Sequence, residues 1–147
     1  MPGTNETSPF VVKFLSDADF HFIHRIFVEA FSDYLIQFQL SEQQFRNHIS
    51  LNAVDLNRSV GCYDGSELIG VTLNGFGNWD GAPTVYDAGT GVIPSHRRRG
   101  ASEAMFRMML PVFRDEGYKQ CLLEVISANV QAKSLYEKLG FEVTRKL

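Results

Sequence analysis

The sequence predicts one α/β (α+β) domain with a mixed, mostly antiparallel central sheet and about four helices. Three observations carry that expectation. Strand-like runs separated by short glycine-marked turns occupy the middle of the chain from Val60 to Ile93, as antiparallel hairpins do. Segments with apolar residues at helical spacing stand on both sides of that block. Beyond the last of the hairpin strands and a helix comes Cys121 to Ile126, a nearly continuous apolar run of the kind that forms a buried parallel strand. At 147 residues, 44% hydrophobic and 21% charged, the chain suits a single globular domain with a substantial core.

The elements follow in order. Met1 to Ser8 are polar and read as a flexible N-terminal tail, with residues 9–147 as the domain. Phe10 to Leu15 is a first strand, and Ser16 or Asp17 supplies the cap of the helix after it. Phe20, Ile23, Phe27, Ala30 and Phe31 recur at helical spacing, which turns an aromatic face inward and leaves Asp19, Arg25 and Glu29 outward. Core packing accounts for these aromatics. Ser41-x-x-Gln44 matches a capping box, and Phe45 and Ile49 continue a second helix. Ser32-Asp33-Tyr34-Leu35 between the two helices reads as a surface loop.

Val60 to Tyr63 and Leu68 to Phe76 are strands joined at Asp64-Gly65. A polar turn from Asn78 to Pro83 holds the only tryptophan, Trp79, which is expected to be partly exposed. Thr84 to Ile93 is the next strand, and its Gly89 and Gly91 indicate a bulge or a close approach to the backbone. In the helix from Gly100 to Gly117, Pro111 removes a donor and predicts a kink near Met108. Asn129 to Leu139 is a helix stopped by Gly140, and Phe141 to Leu147 begins another strand.

A formal net charge of −3 disfavours nucleic acid as a partner, since that needs a broad basic surface. Cys62 and Cys121 lie in apolar runs without a metal-ligand spacing, and His21, His24, His48 and His96 are scattered, so no metal is expected. The N-terminus has no apolar signal core, and no run approaches the ~20 residues of a membrane span. A cytoplasmic location and no membrane partner are the corresponding expectations.

The most informative stretch is Val92-Ile93-Pro94-Ser95-His96-Arg97-Arg98-Arg99-Gly100-Ala101-Ser102, where a strand ends in a cationic turn that opens a helix. The first N–H groups of a helix have no intrahelical acceptor and sit at the positive end of its dipole, so such a turn attracts phosphate oxygens. A solvated surface turn is the competing reading of the arginines. Neither a dinucleotide fingerprint nor a Walker A loop is present.

Pro94-x-x-Arg97-x-x-Gly100-x-Ser102 resembles the pyrophosphate loop of the GNAT-type N-acetyltransferases, with Ser102 where that family prefers glycine or alanine. Asn129-x-x-Ala132-x-x-Leu135-Tyr136-x-x-x-Gly140-Phe141 is similar to the family's second cofactor segment. The resemblance implies the acyl-CoA N-acyltransferase fold, whose sheet is splayed in the middle, and transfer of the acetyl group of acetyl-CoA to a primary amine by direct attack. It assigns the pyrophosphate to Arg97, Arg98, Arg99, Gly100, Ala101 and Ser102, and the pantetheine arm to the backbones of Val92 and Ile93. A backbone N–H near Val92 would face the oxyanion. Asn129 would hydrogen-bond the cofactor, although a helix cap also explains it.

Tyr136 is the expected general acid toward the departing thiolate, since a phenol is protonated at neutral pH. Asp87 and Glu124 are the acidic residues on the nearest strands and so the candidates for general base. The acceptor is expected to be a small-molecule or peptide amine, near Tyr34 or Trp79. The family usually adds one more strand, so the last one is counted as missing, which implies a fragment of a longer protein or a sheet edge completed elsewhere. That edge makes a homodimer one expectation. The alternative function is a non-catalytic acyl-CoA-binding regulatory module.

Overall fold

A computed structural model describes residues 10–32, 40–123 and 130–141. Five strands form one sheet in sequence order: β1 (Phe10–Phe14), β2 (Val60–Asp64), β3 (Glu67–Trp79), β4 (Ala82–Val92) and β5 (Gln120–Leu122). The first three pairings are antiparallel and β4 to β5 is parallel, as expected for a mixed, mostly antiparallel sheet. The helices among the described residues are α1 (Phe20–Ala30), α2 (Glu42–Leu51), α3 (Ala101–Asp115) and α4 (Val130–Lys138).

Turn chemistry sets the hairpins. Asp64 pairs with Glu67 across Gly65, whose φ of 62° suits a two-residue turn. Asp80 and Gly81 both have positive φ, 52° and 79°, the requirement of the turn that best matches strand twist. The six-residue polar turn expected over Asn78 to Pro83 is therefore only two residues long, and β3 and β4 extend up to it.

Helix ends follow local hydrogen bonding. Leu15–Asp17 form a 3-10 turn, so the cap of α1 moves on to Asp19, whose carboxylate accepts from the His21 N–H at 2.8 Å. At α2 the expected capping box is present: Ser41 Oγ accepts from the Gln44 N–H and Gln44 Oε1 accepts from the Ser41 N–H. α3 continues through Pro111 to Asp115 as one helix.

The sheet is covered on both faces. A Cβ on Gly89 or Gly91 would press on Phe27, Ala30 or Phe31 of α1, and a Cβ on Gly70 would meet Met105 of α3 on the opposite face. Phe45 of α2 packs on Phe20 and Phe27, which places α2 on the α1 side. Fully buried Ile23, Phe45, Val71, Leu73, Phe106 and Phe113 form the heart of these layers.

β4 joins β3 along its whole length, whereas its parallel ladder to β5 covers only Thr84, Val85 and Tyr86. From Asp87 to Val92, the β5-facing edge of β4 has no ladder partner among the described residues. The expected mid-sheet splay turns on the chain beyond Leu123, outside the described residues. The expected N-terminal tail, the loop around Asp33 and Tyr34, and the strand after Phe141 fall outside the described residues.

Candidate functional site

β4 carries a bulge at its middle. Asp87 faces Asn74 and Gly89 faces Leu73, so Ala88 is one residue in excess of its partner strand. Gly89 takes a φ of 151°, open to glycine, and lies against the Phe27 ring. The carboxylate of Asp87 secures the bulge from within the strand. Its Oδ1 accepts from the Gly89 N–H at 2.8 Å and its Oδ2 from the Thr90 hydroxyl at 2.7 Å, with Thr72 Oγ 3.1 Å beyond Thr90. Burial pushes the Asp87 pKa up to about 6, against the lowering effect of the Thr90 and Gly89 hydrogen bonds.

Pairing beyond the bulge decides which backbone groups face outward. The Ile93 N–H donates to the Ile69 carbonyl at 2.9 Å, making those two residues a hydrogen-bonded pair. Antiparallel alternation then makes Gly70 and Val92 a non-bonded pair, with the N–H and C=O of Val92 directed away from β3. Of the two backbones expected to meet a ligand, Val92 directs its N–H away from β3, while the Ile93 N–H is bonded to Ile69.

The three arginines have separate tasks. Arg97 donates from Nε to the Val92 carbonyl at 3.0 Å and from its other end to the Ala30 carbonyl, clamping the end of β4 to the end of α1. Arg99 lies over the Phe10 ring, 5.2 Å to its centroid, with Nη1 4.0 Å from Asp64 Oδ2. His96 Nε2 is 3.1 Å from the same Asp64 oxygen, which ties the turn to the end of β2. Arg98, exposed and at a φ of 62°, makes no side-chain hydrogen bond or ion pair among the described residues. Of the three guanidinium groups expected to face a phosphate, that of Arg98 is the most open to solvent-side contact, while those of Arg97 and Arg99 also brace the turn.

Gly100 caps α3 at a φ of 83°, with nothing within 4 Å of where a Cβ would stand. The first helical bond runs from the Ala104 N–H to the Gly100 carbonyl at 2.9 Å, so the N–H groups of Ala101, Ser102 and Glu103 precede it. Together these groups can hold an anion in front of α3.

Tyr136 on α4 stands edge-on to Phe106 and Phe141, with centroid separations of 5.5 and 5.7 Å. This packing fixes the ring against α3. α4 is further tied there by Lys138 Nζ, 3.1 Å from Glu103 Oε1. Glu124 and Asn129 lie outside the described residues. Trp79 is 47% exposed at the β3–β4 turn, at the opposite end of β4 from Val92.

Burial pushes the Cys62 thiol up to about 11 and the Cys121 thiol to about 12, so both stay protonated and unreactive at neutral pH. The residue that sequence reasoning missed is His48, whose Nε2 reaches the Ala88 carbonyl at 2.6 Å. It lies forty residues from its partner, and no local spacing announces the contact. Among the described residues no group of three or more His, Cys, Asp or Glu side chains could hold a metal, and no helix is long and apolar enough to cross a membrane.

The acetyltransferase (GNAT) family model matches residues 19–141. N-acetyltransferase 8 of Homo sapiens is 37% identical over 53 residues, which cover 36% of this chain and 23% of that protein. The chain thus matches less than a quarter of the length of this curated relative. Among solved structures, the NatC complex bound to Gag peptide and CoA is similar with a TM-score of 0.74 and 17% identity, over 94% of this chain and 87% of that one. The aminoglycoside acetyltransferase meta-AAC0020 from an uncultured soil metagenomic sample, in complex with sisomicin, gives a TM-score of 0.71 at 8% identity, over 94% and 91%. Identities this low carry the fold alone.

Proposed function

The chain belongs to the acetyltransferase (GNAT) family, and from that membership we propose that it transfers the acetyl group of acetyl-CoA to a primary amine by direct attack. The observation that carries this reading is the anion-attracting start of α3, reached directly from a β4 strand whose Val92 N–H is directed away from β3. Acetyl-CoA supplies an activated acyl group on a thioester; the chain must hold it, steady the oxyanion and handle two protons.

Binding falls to the N–H groups of Ala101 and Ser102, with Arg98 as the exposed countercharge and Arg97 and Arg99 shaping the turn. The Val92 N–H, aimed off the sheet, is the preorganised donor for the thioester oxygen. Tyr136 gives its proton to the departing thiolate, its ring held by Phe106 and Phe141. Asp87 receives the amine proton through the Thr90 hydroxyl, because burial makes it more basic than an ordinary aspartate. A small-molecule or peptide amine is the acceptor; the two solved structures carry a peptide and an aminoglycoside on this same fold.

The test monitors release of the CoA thiol from acetyl-CoA with a polyamine, an aminoglycoside and a short peptide. Turnover with at least one amine is expected, and Tyr136→Phe should lower kcat by about 100-fold with acetyl-CoA affinity little changed. Full activity of that variant removes the general-acid role. Tight acetyl-CoA binding with no thiol release from any of the three marks a non-catalytic acyl-CoA-binding module instead.

A further inference from the structure

The β4 bulge is gripped from two sides, and only the Asp87 grip belongs to β4 itself. The extra residue, Ala88, has a carbonyl that the ladder to β3 does not use in regular register. His48 of α2 meets that carbonyl at 2.6 Å. A carbonyl can only accept, so Nε2 carries the proton and Nδ1 is the acceptor, which Asn52 Nδ2 faces at 3.3 Å. The same Asn52 nitrogen donates to the His48 carbonyl at 2.9 Å, and the imidazole packs on the Phe27 ring, 6.1 Å between centroids.

The donor is also rigidly based. Val54 bridges to Gly75 of β3, the Asp55 N–H donates to the Asn74 carbonyl at 3.0 Å, and a Cβ on Gly75 would collide with the Asn52 carbonyl. The C-terminal end of α2 is thus seated on β3 beside the bulge that His48 holds on β4.

We propose that His48 is a positioning residue for acetyl transfer, fixing the β4 bulge through the Ala88 carbonyl and so setting the direction of the Val92 N–H. A bulge bends its strand and re-aims the residues beyond it, and Val92 is four residues further along. Asp87 secures the amide side of the bulge at Gly89, and His48 secures its carbonyl side; without the second hold the strand beyond can rotate. The inference rests on the acetyl-transfer reading.

The experiment compares His48→Leu, which has no donor, with His48→Gln, whose amide reproduces the Nε2–H. Thiol release is measured as kcat and as KM for acetyl-CoA, per mole of folded protein, alongside amide hydrogen exchange at Gly89. The leucine variant is expected to lose about 10- to 100-fold in kcat with KM within about threefold, since a small misplacement of a reacting group costs on that order. Gln should restore most of kcat, and Gly89 should exchange faster only in the leucine variant. Wild-type kcat in His48→Leu, equal losses in both variants, or a lowered melting temperature with unchanged kcat each overturn the positioning role. A wild-type protein that releases no thiol with any amine overturns the acetyl-transfer reading, and this role with it; that failure shows in the parent protein rather than in the variants.

Discussion

Asp87 is a bulge clamp by its contacts and, on the proposed acetyl-transfer reading, a base as well. Its two oxygens receive the Gly89 N–H and the Thr90 hydroxyl, yet burial outweighs both and raises the pKa from 3.8 to about 6. That difference is roughly 3 kcal/mol against the ionised form. Between pH 3.8 and about 6 the folded protein holds a proton that the unfolded chain has released, so stability falls as pH rises through that window. Asp87→Asn should flatten this slope in denaturant unfolding measured at about pH 4 and about pH 7; an unchanged slope would show that Asp87 titrates normally. The same ionisation should give kcat/KM a rising limb near pH 6 in the wild type, because a base must be deprotonated to act. Loss of activity in Asp87→Asn without any such wild-type limb would leave the carboxylate a bulge clamp only.

The turn between β4 and α3 was legible as an element and opaque in its parts. Strand, basic turn, glycine and helix follow from Val92, Arg97, Gly100 and the apolar spacing after Ala101, all local features. Which arginine faces a ligand depends on partners far away: Ala30 lies 67 positions from Arg97, and Asp64 comes from another hairpin. Alternation cannot tell Val92 from Ile93 either, until the Ile69 pairing fixes the register. The consequence is a division of effects. Arg97→Ala removes charge-assisted bonds to two carbonyls and should cost about 2 kcal/mol of stability, a melting temperature lower by several degrees. Arg98→Ala should leave melting unchanged and weaken acetyl-CoA binding in calorimetric titration by about 10-fold, one unshielded contact to phosphate. The reverse pattern would mean that Arg97 binds the ligand and Arg98 supports the fold.

At the scale of the molecule, the antiparallel portion was readable because hairpins announce themselves through glycine turns and apolar runs. One turn was overestimated, since the polar flanks Asn78 and Pro83 conceal that Asp80-Gly81 suffices to reverse the chain. The splay is an expectation from family resemblance alone, because no periodicity states how far two parallel strands stay paired. The described pairings are uneven across the domain. β1 to β4 are laddered together, with α1 packed on β3 and β4 and α3 on the opposite face, whereas among the described residues β5 adds three pairs and α4 is joined through Tyr136 on Phe106 and through Lys138 on Glu103. Amides of β5 and α4 should therefore exchange faster than those of β2 and β3, opening at lower free energy than the whole domain. A ligand seated along the β4 edge and against the start of α3 would bridge the two parts. At acetyl-CoA concentrations of about 100 times Kd, linkage adds about 2.7 kcal/mol, so α4 amides that open only when the site is lost should slow by up to about 100-fold. If saturating acetyl-CoA protects the first turn of α3 and leaves α4 exchange unchanged, the ligand touches the phosphate turn alone, and Tyr136 does not stand where a thiolate would receive its proton.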